Sequence, residues 1–152
     1  MATLMDEFDA YYSRLKDSID IVLAREVARA VMDRIENMAE VNVYAAYDPS
    51  EYVRRMTLNR DDQYSVSASN MTLEIDNLTT GNPAYQPPLS EGWDPGEIGD
   101  LITRGVGYHW RNSKIYMKMP FPRPWMEPGL QDAINDHSAE NSLEAGLASM
   151  GF

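Results

Sequence analysis

The sequence has no cysteine. Disulfide scaffolds, thiolate zinc sites and cysteine nucleophiles are all removed by that one absence, which leaves the redox compartment open. Histidine is almost as scarce. His109 and His137 lie far apart and form no His-x-x-x-His pair, so both are read as ordinary structural histidines. Positive charge is also short, with 13 Lys plus Arg against 24 Asp plus Glu and a formal net charge of −11. Neutralised phosphates supply most non-specific nucleic-acid affinity, so a chain of this sign is not expected to grip nucleic acid, though nucleic acid can pass near it. Long apolar runs are missing too, and Met-Ala-Thr-Leu-Met-Asp has neither the cationic nor the apolar region of a secretory signal. The expectation is a soluble protein, cytoplasmic when made, with no membrane partner.

Catalytic signatures are equally thin. The phosphate-cradling Gly-x-x-x-x-Gly-Lys-Ser/Thr, the dinucleotide Gly-x-Gly-x-x-Gly after a strand and the nucleophile elbow Gly-x-Ser-x-Gly do not occur. Spacing therefore nominates no catalytic residue, cofactor or metal ligand, and the chain is read as a non-enzyme. Asp61-Asp62 and the set Asp94, Glu97, Asp100 supply oxygen ligands at short spacing, but without the twelve-residue calcium-loop pattern a solvated acidic face is the stronger reading.

What is present is organisation. At 152 residues the chain is long enough for one domain with a sizeable core. Thr3 followed by Asp6 resembles a capping box, with Asp6 and Glu7 where a helix dipole favours anions. Phe8, Tyr12, Leu15, Ile19, Val22, Val27, Val31, Ile35 and Met38 then recur at steps of mostly three and four, one apolar stripe ending near Ala39. Unbroken, such a helix is about 50 Å long. That exceeds the width of a compact domain, so either it breaks near Asp17-Ser18, a second N-cap, or one end projects to meet a partner.

Val41 to Tyr47 reads as a short strand or extended arm before the turn residues Asp48-Pro49-Ser50. Arg54 and Arg55 beside tyrosines suit carboxylates within the chain or on a neighbouring subunit. Tyr64, Val66, Ala68 and then Met71, Leu73, Ile75 alternate with polar residues, giving two half-buried strands joined near Ser69-Asn70 as a hairpin. Asn77 to Gly99 is a long segment rich in proline and glycine; with Tyr85 and Trp93 in it, it reads as an ordered assembly loop. A short helical turn follows, ended by Gly105 and Gly107, then a loosely alternating run from Tyr108 to Met119.

Pro120, Pro122 and Pro124 rule out a central strand, whereas Pro128 suits a helix's first turn, so 120–130 is a rigid elbow carrying Phe121, Trp125 and Met126. These large apolar groups belong either under the domain's own sheet or against a neighbour. Beyond the elbow, Met126, Leu130, Ala133, Ile134 and His137 share a helical face. Residues 138–152 form a weaker amphipathic stretch with acids and no base, read as an assembly tail after a single 1–137 domain. The fold class expected is α+β, with the long N-terminal helix and a C-terminal helix packed on a small antiparallel sheet.

This order of elements, with the short helix closing on Gly105-Val106-Gly107-Tyr108 and Pro120-Phe121-Pro122-Arg123-Pro124-Trp125-Met126 opening the last helix, resembles the small tail-component, or tail-completion, proteins of long-tailed bacteriophages. The likeness spans residues 6–137 and is sharpest at Arg123-Pro124-Trp125-Met126. It departs where Tyr47 to Arg55 stands in place of a Pro-x-Asp-Thr-Gly-x-Leu segment, and where Thr103-Arg104 replaces a glutamate. The resemblance implies a virion protein of the neck. It would be a homo-oligomeric ring, hexamer or dodecamer, that joins head-closure or connector proteins to the tail terminator or tail tube while DNA passes without specific binding.

In such a ring Arg54, Arg55, Tyr85, Trp93, Arg123 and Trp125 are the expected interface residues, since aromatics and arginine are enriched at interface centres. Asp61, Asp62 and Asp94 are the expected lumen-facing acids, because residues 57–103 carry eight acids against Arg60 alone. A joining or minor capsid protein, a small carboxylate-dependent phage or bacterial enzyme, and a monomeric binding protein using the 77–99 loop stay open beside it.

Overall fold

A computed structural model describes residues 3–46, 56–80, 98–105 and 121–152. The Tyr108 to Met119 run and most of the 77–99 loop lie outside them. The fold is α+β, as the residue pattern predicts. Its elements are α1 (Leu4–Val22), α2 (Ala28–Ala39), β1 (Tyr64–Ser69), β2 (Thr72–Asn77), α3 (Ile98–Arg104), α4 (Met126–Asn135) and α5 (Ser138–Ser149). They divide into two compact units, one of Met1–Arg34, Ser65–Asp76 and Leu130–Phe152, the other of Ile35–Tyr64 and Asn77–Gly129.

In the first unit the capping box forms as read. The Thr3 N–H donates to Asp6 Oδ2 at 2.7 Å and the Asp6 N–H to Thr3 Oγ1 at 3.2 Å; hydrogen bonding from the Thr3 backbone, and then from its side chain, holds the Asp6 carboxyl below its usual range. The helix does not break at Asp17-Ser18. Ser18 is buried, small enough to sit on the packed side of α1, and the backbone runs straight through it. What interrupts the α-pitch is a π-helical turn at Leu23–Val27. The sequence shows why: the buried residues Val22 and Val27 are five apart, one too many for an α-helical stripe, and a π turn absorbs the surplus residue.

β1 and β2 form a two-stranded hairpin in which Val66, Ala68, Leu73 and Ile75 are half-buried and the intervening residues exposed. The two-residue turn places Ser67 opposite Glu74, with their side-chain oxygens 3.5 Å apart. Asn70 and Met71 both take positive φ, 51° and 61°, as a type I′ turn demands. Asn tolerates this region; Met does not, and its backbone N–H is anchored on Asp20 Oδ1 of α1 at 2.7 Å. Met71→Gly keeps that bond and relieves the strain, and is expected to raise stability by about 1 kcal/mol, read as a higher urea midpoint at unchanged m.

α5, the stretch read as a tail, packs along α1 and the π turn. Its Gly146 is buried against Val22. Arg34 binds Asp136 and lies 3.7 Å from Asp132, tying α4 to the N-terminal helix, while Asp136 also accepts the Ser138 N–H at 2.9 Å to start α5. Bonds from Ser138, with Arg34 adding to them, hold the Asp136 carboxyl below the usual carboxylate range.

The second unit begins inside α2. Val41 to Tyr47 was expected as a short strand or extended arm, but Val41 to Tyr44 continue the helix as a second π turn over Glu40–Tyr44, and Tyr47 lies outside the described residues. Its β-branched residues suggested a strand, but Ile35, Ala39 and Val43 are buried at steps of four, and packing of that stripe overrides local propensity. Tyr44 then accepts the Leu58 N–H on its hydroxyl at 2.8 Å, and Asn42 donates to the Pro124 carbonyl at 2.8 Å. α3 ends at Gly105, φ 66°, the left-handed residue expected to close it.

Candidate assembly surface

Of the residues expected at an interface or a lumen, only Arg123, Trp125, Asp61 and Asp62 are described. Arg54, Arg55, Tyr85, Trp93 and Asp94 lie outside the described residues. Arg123 and Trp125 are described, and neither reaches the surface of its unit: they are 6% and 1% exposed. The elbow from Phe121 to Trp125 is non-helical, and the Arg123 N–H donates to the Ile102 carbonyl at 3.0 Å, so the chain folds back along α3. That turns Trp125 inward, where its indole edge comes within van der Waals reach of a methyl placed at Gly99. The Tyr64 phenol is buried near it and donates to the Leu58 carbonyl. Desolvation raises its pKa to about 12. Asp61 and Asp62 are both exposed, and Asp62 is engaged by Arg60 through a bond from Nε at 3.0 Å.

The elbow's second consequence is a helix turned the other way from its sequence reading. Met126, Leu130, Ala133, Ile134 and His137 were expected to share one face of α4. The positions packed inside are Trp125, Gly129 and Ala133, whereas Leu130 and Ile134 are 47% and 53% exposed and His137 stands outside the helix at φ 61°. Gly129 explains the reversal. A Cβ there would sit 2.5 Å from the Ile35 Cα, so α4 approaches α2 through its smallest residue rather than its largest.

The start of α1 is another place where apolar side chains stay uncovered. Residues 3–14 are exposed without exception. Leu4 is 84% and Phe8 61% exposed, with Met5, Tyr11 and Tyr12 beside them on three successive turns. Phe8 and Tyr12 stack in parallel with centroids 6.4 Å apart, and the Lys16 ammonium lies 5.8 Å from the Tyr12 ring. Arg14 sits over Tyr11 and Phe152 at 5.8 and 5.2 Å, where α5 ends against this helix. Phe8 and Tyr12 read from sequence as the upper part of a core stripe; Leu4, Met5 and Tyr11 were not singled out. The available signal was length, since the stripe runs further than the rest of its unit extends to cover it.

Uncovered apolar clusters of this kind on a soluble surface mark contacts with other molecules. Among the described residues no group of three or more His, Asp or Glu side chains could hold a metal ion, and no helix is long and apolar enough to cross a membrane. Searches of curated proteins and of solved structures return no match. A family model does match, over residues 5–149. On that coverage the chain belongs to the YomN family, a phage-derived family of SPbeta-prophage-like proteins.

Proposed function

We propose that this phage protein is a structural component of the virion neck. Its copies form a homo-oligomeric ring, of six or twelve subunits, joining head-closure or connector proteins to the tail terminator or tail tube. The reading rests chiefly on one observation, that two separate elements, the start of α1 and the outer face of α4, each leave large apolar side chains exposed. A subunit with two distinct contact surfaces meets its neighbours head to tail, and head-to-tail contacts close into rings when the rotation permits. Other neck layers then have apolar surface left to dock on.

In this reading the protein performs no chemistry and holds no cofactor. A net charge of −11 suits a channel that DNA crosses without being held, with Asp61, Asp62 and Asp94 as the acids assigned to its lining. Purified particles decide the matter. Mass spectrometry of intact virions is expected to find the protein in multiple copies, and gold-labelled antibody to mark the head–tail junction; absence from intact particles overturns the proposal.

A further inference from the structure

The exposed start of α1 has a charge order that selects an occupant. Residues 3–12 carry Asp6, Glu7 and Asp9 with no base, and Arg14 and Lys16 follow directly. Leu4, Phe8, Tyr11 and Leu15 fall at steps of four, three and four, a seam of the kind two helices share. Glu7 and Arg14, two turns apart, flank that seam on one side, and Met5 and Tyr12 flank it on the other. We propose that the occupant is the same segment of a second copy, running antiparallel, so that the free protein is a two-fold dimer.

Antiparallel overlap of residues 4–15 sets Phe8 against Tyr11 and Leu4 against Leu15 of the second copy, and it brings Glu7 to the second copy's Arg14 twice by symmetry. A parallel overlap would instead set Glu7 and Arg14 beside Met5 and Tyr12 of the second copy, with no opposite charge to meet. The five large apolar side chains left bare at the start of α1, Leu4, Met5, Phe8, Tyr11 and Tyr12, are all absorbed. Leu4 and Phe8 reach beyond the end of α5 to lie beside Tyr11 and Phe152 of the other copy, where the Arg14 guanidinium is already steered by two rings. The segment is preorganised by its capping box and by the Phe8–Tyr12 stack, so pairing orders little new chain.

This inference goes beyond the neck reading and does not depend on it. A two-fold pair points its members in opposite directions, whereas ring members all point the same way. The pair is thus a state of the unassembled protein that keeps the apolar end of α1 covered until assembly opens it.

Sedimentation equilibrium of the full chain tests it. The wild type is expected to sediment as a dimer at micromolar concentration. Phe8→Asp should be a monomer of unchanged helical circular dichroism, because Phe8 touches solvent in the free chain. Glu7→Arg and Arg14→Glu should each weaken dimerisation at least about tenfold, and their equimolar mixture should recover it, since each then meets an opposite charge. A wild type that stays monomeric at about 100 µM, association indifferent to Phe8→Asp, or a mixture no tighter than its components overturns the proposal. None of these outcomes bears on whether the protein is found in virions.

Discussion

Trp125→Ala is expected to lower the stability of the protein by about 4 kcal/mol, enough to leave much of the chain unfolded at 37 °C. The indole is 1% exposed and is one of the two largest fully buried side chains. Its loss removes the contact surface behind Gly99 and opens a cavity beside the Tyr64 phenol, whose hydroxyl and ring hold the segment before β1 in place. Trp125→Phe refills part of the volume and is expected to cost roughly half as much. Urea unfolding monitored by circular dichroism measures both. A Trp125→Ala subunit of undiminished stability that fails to enter particles would reverse the assignment and make Trp125 an interface residue.

Gly105→Ala is expected to be nearly as damaging, for a different reason. At φ 66° any other residue carries a left-handed penalty of about 1–2 kcal/mol. Here the added methyl would also lie 2.1 Å from the Phe121 carbonyl carbon and 2.3 Å from the Pro122 nitrogen. Those are backbone atoms, and beside a proline they have no rotamer to turn into. The end of α3 and the elbow must then separate, for a total above about 3 kcal/mol. Gly151 is the control: it too has positive φ, 87°, but a methyl there meets nothing within 4 Å. Gly151→Ala should cost only the conformational penalty of about 1–2 kcal/mol, so a thermal-melt comparison of the two separates conformational strain from steric overlap.

These two positions also show which parts of the fold the sequence made legible. Patterns written in neighbouring residues were readable: the Thr3–Asp6 cap, the alternation of β1 and β2, the glycine that ends α3. Even the π turn is visible once the Val22-to-Val27 interval is taken as a five-residue step rather than an irregularity. What could not be read was any choice settled by partners remote in sequence. α4 carries Met126, Leu130 and Ile134 on one side and Gly129 and Ala133 on another; size favours burying the first set. Only the closeness of α2 at Ile35 makes the smaller side the inner one. Val41 and Val43 likewise favour extended backbone until a stripe beginning at Ile35 is available to continue.

The assembly surface was half legible for the same reason. A helix too long for its domain was expected either to break or to project, and α1 runs unbroken through Ser18 and leaves its first turns bare. Which residues would be bare depended on how far α5 packs along α1, with Phe152 beside Tyr11, and nothing local to α1 announces that.

The π turn at Leu23–Val27 leaves one more mark on the molecule. In an α-helix each residue advances about 100° around the axis, so a surplus residue carried without a loop resets the azimuth of everything that follows. The stripe that leaves Val22 and the stripe that resumes at Val27 and Val31 are therefore two phases of one helix brought into step. Sequence can grow by a residue at this point while both faces keep their orientation, which makes the turn the place where lengths of the N-terminal helix can differ without redesigning what packs on either side of it.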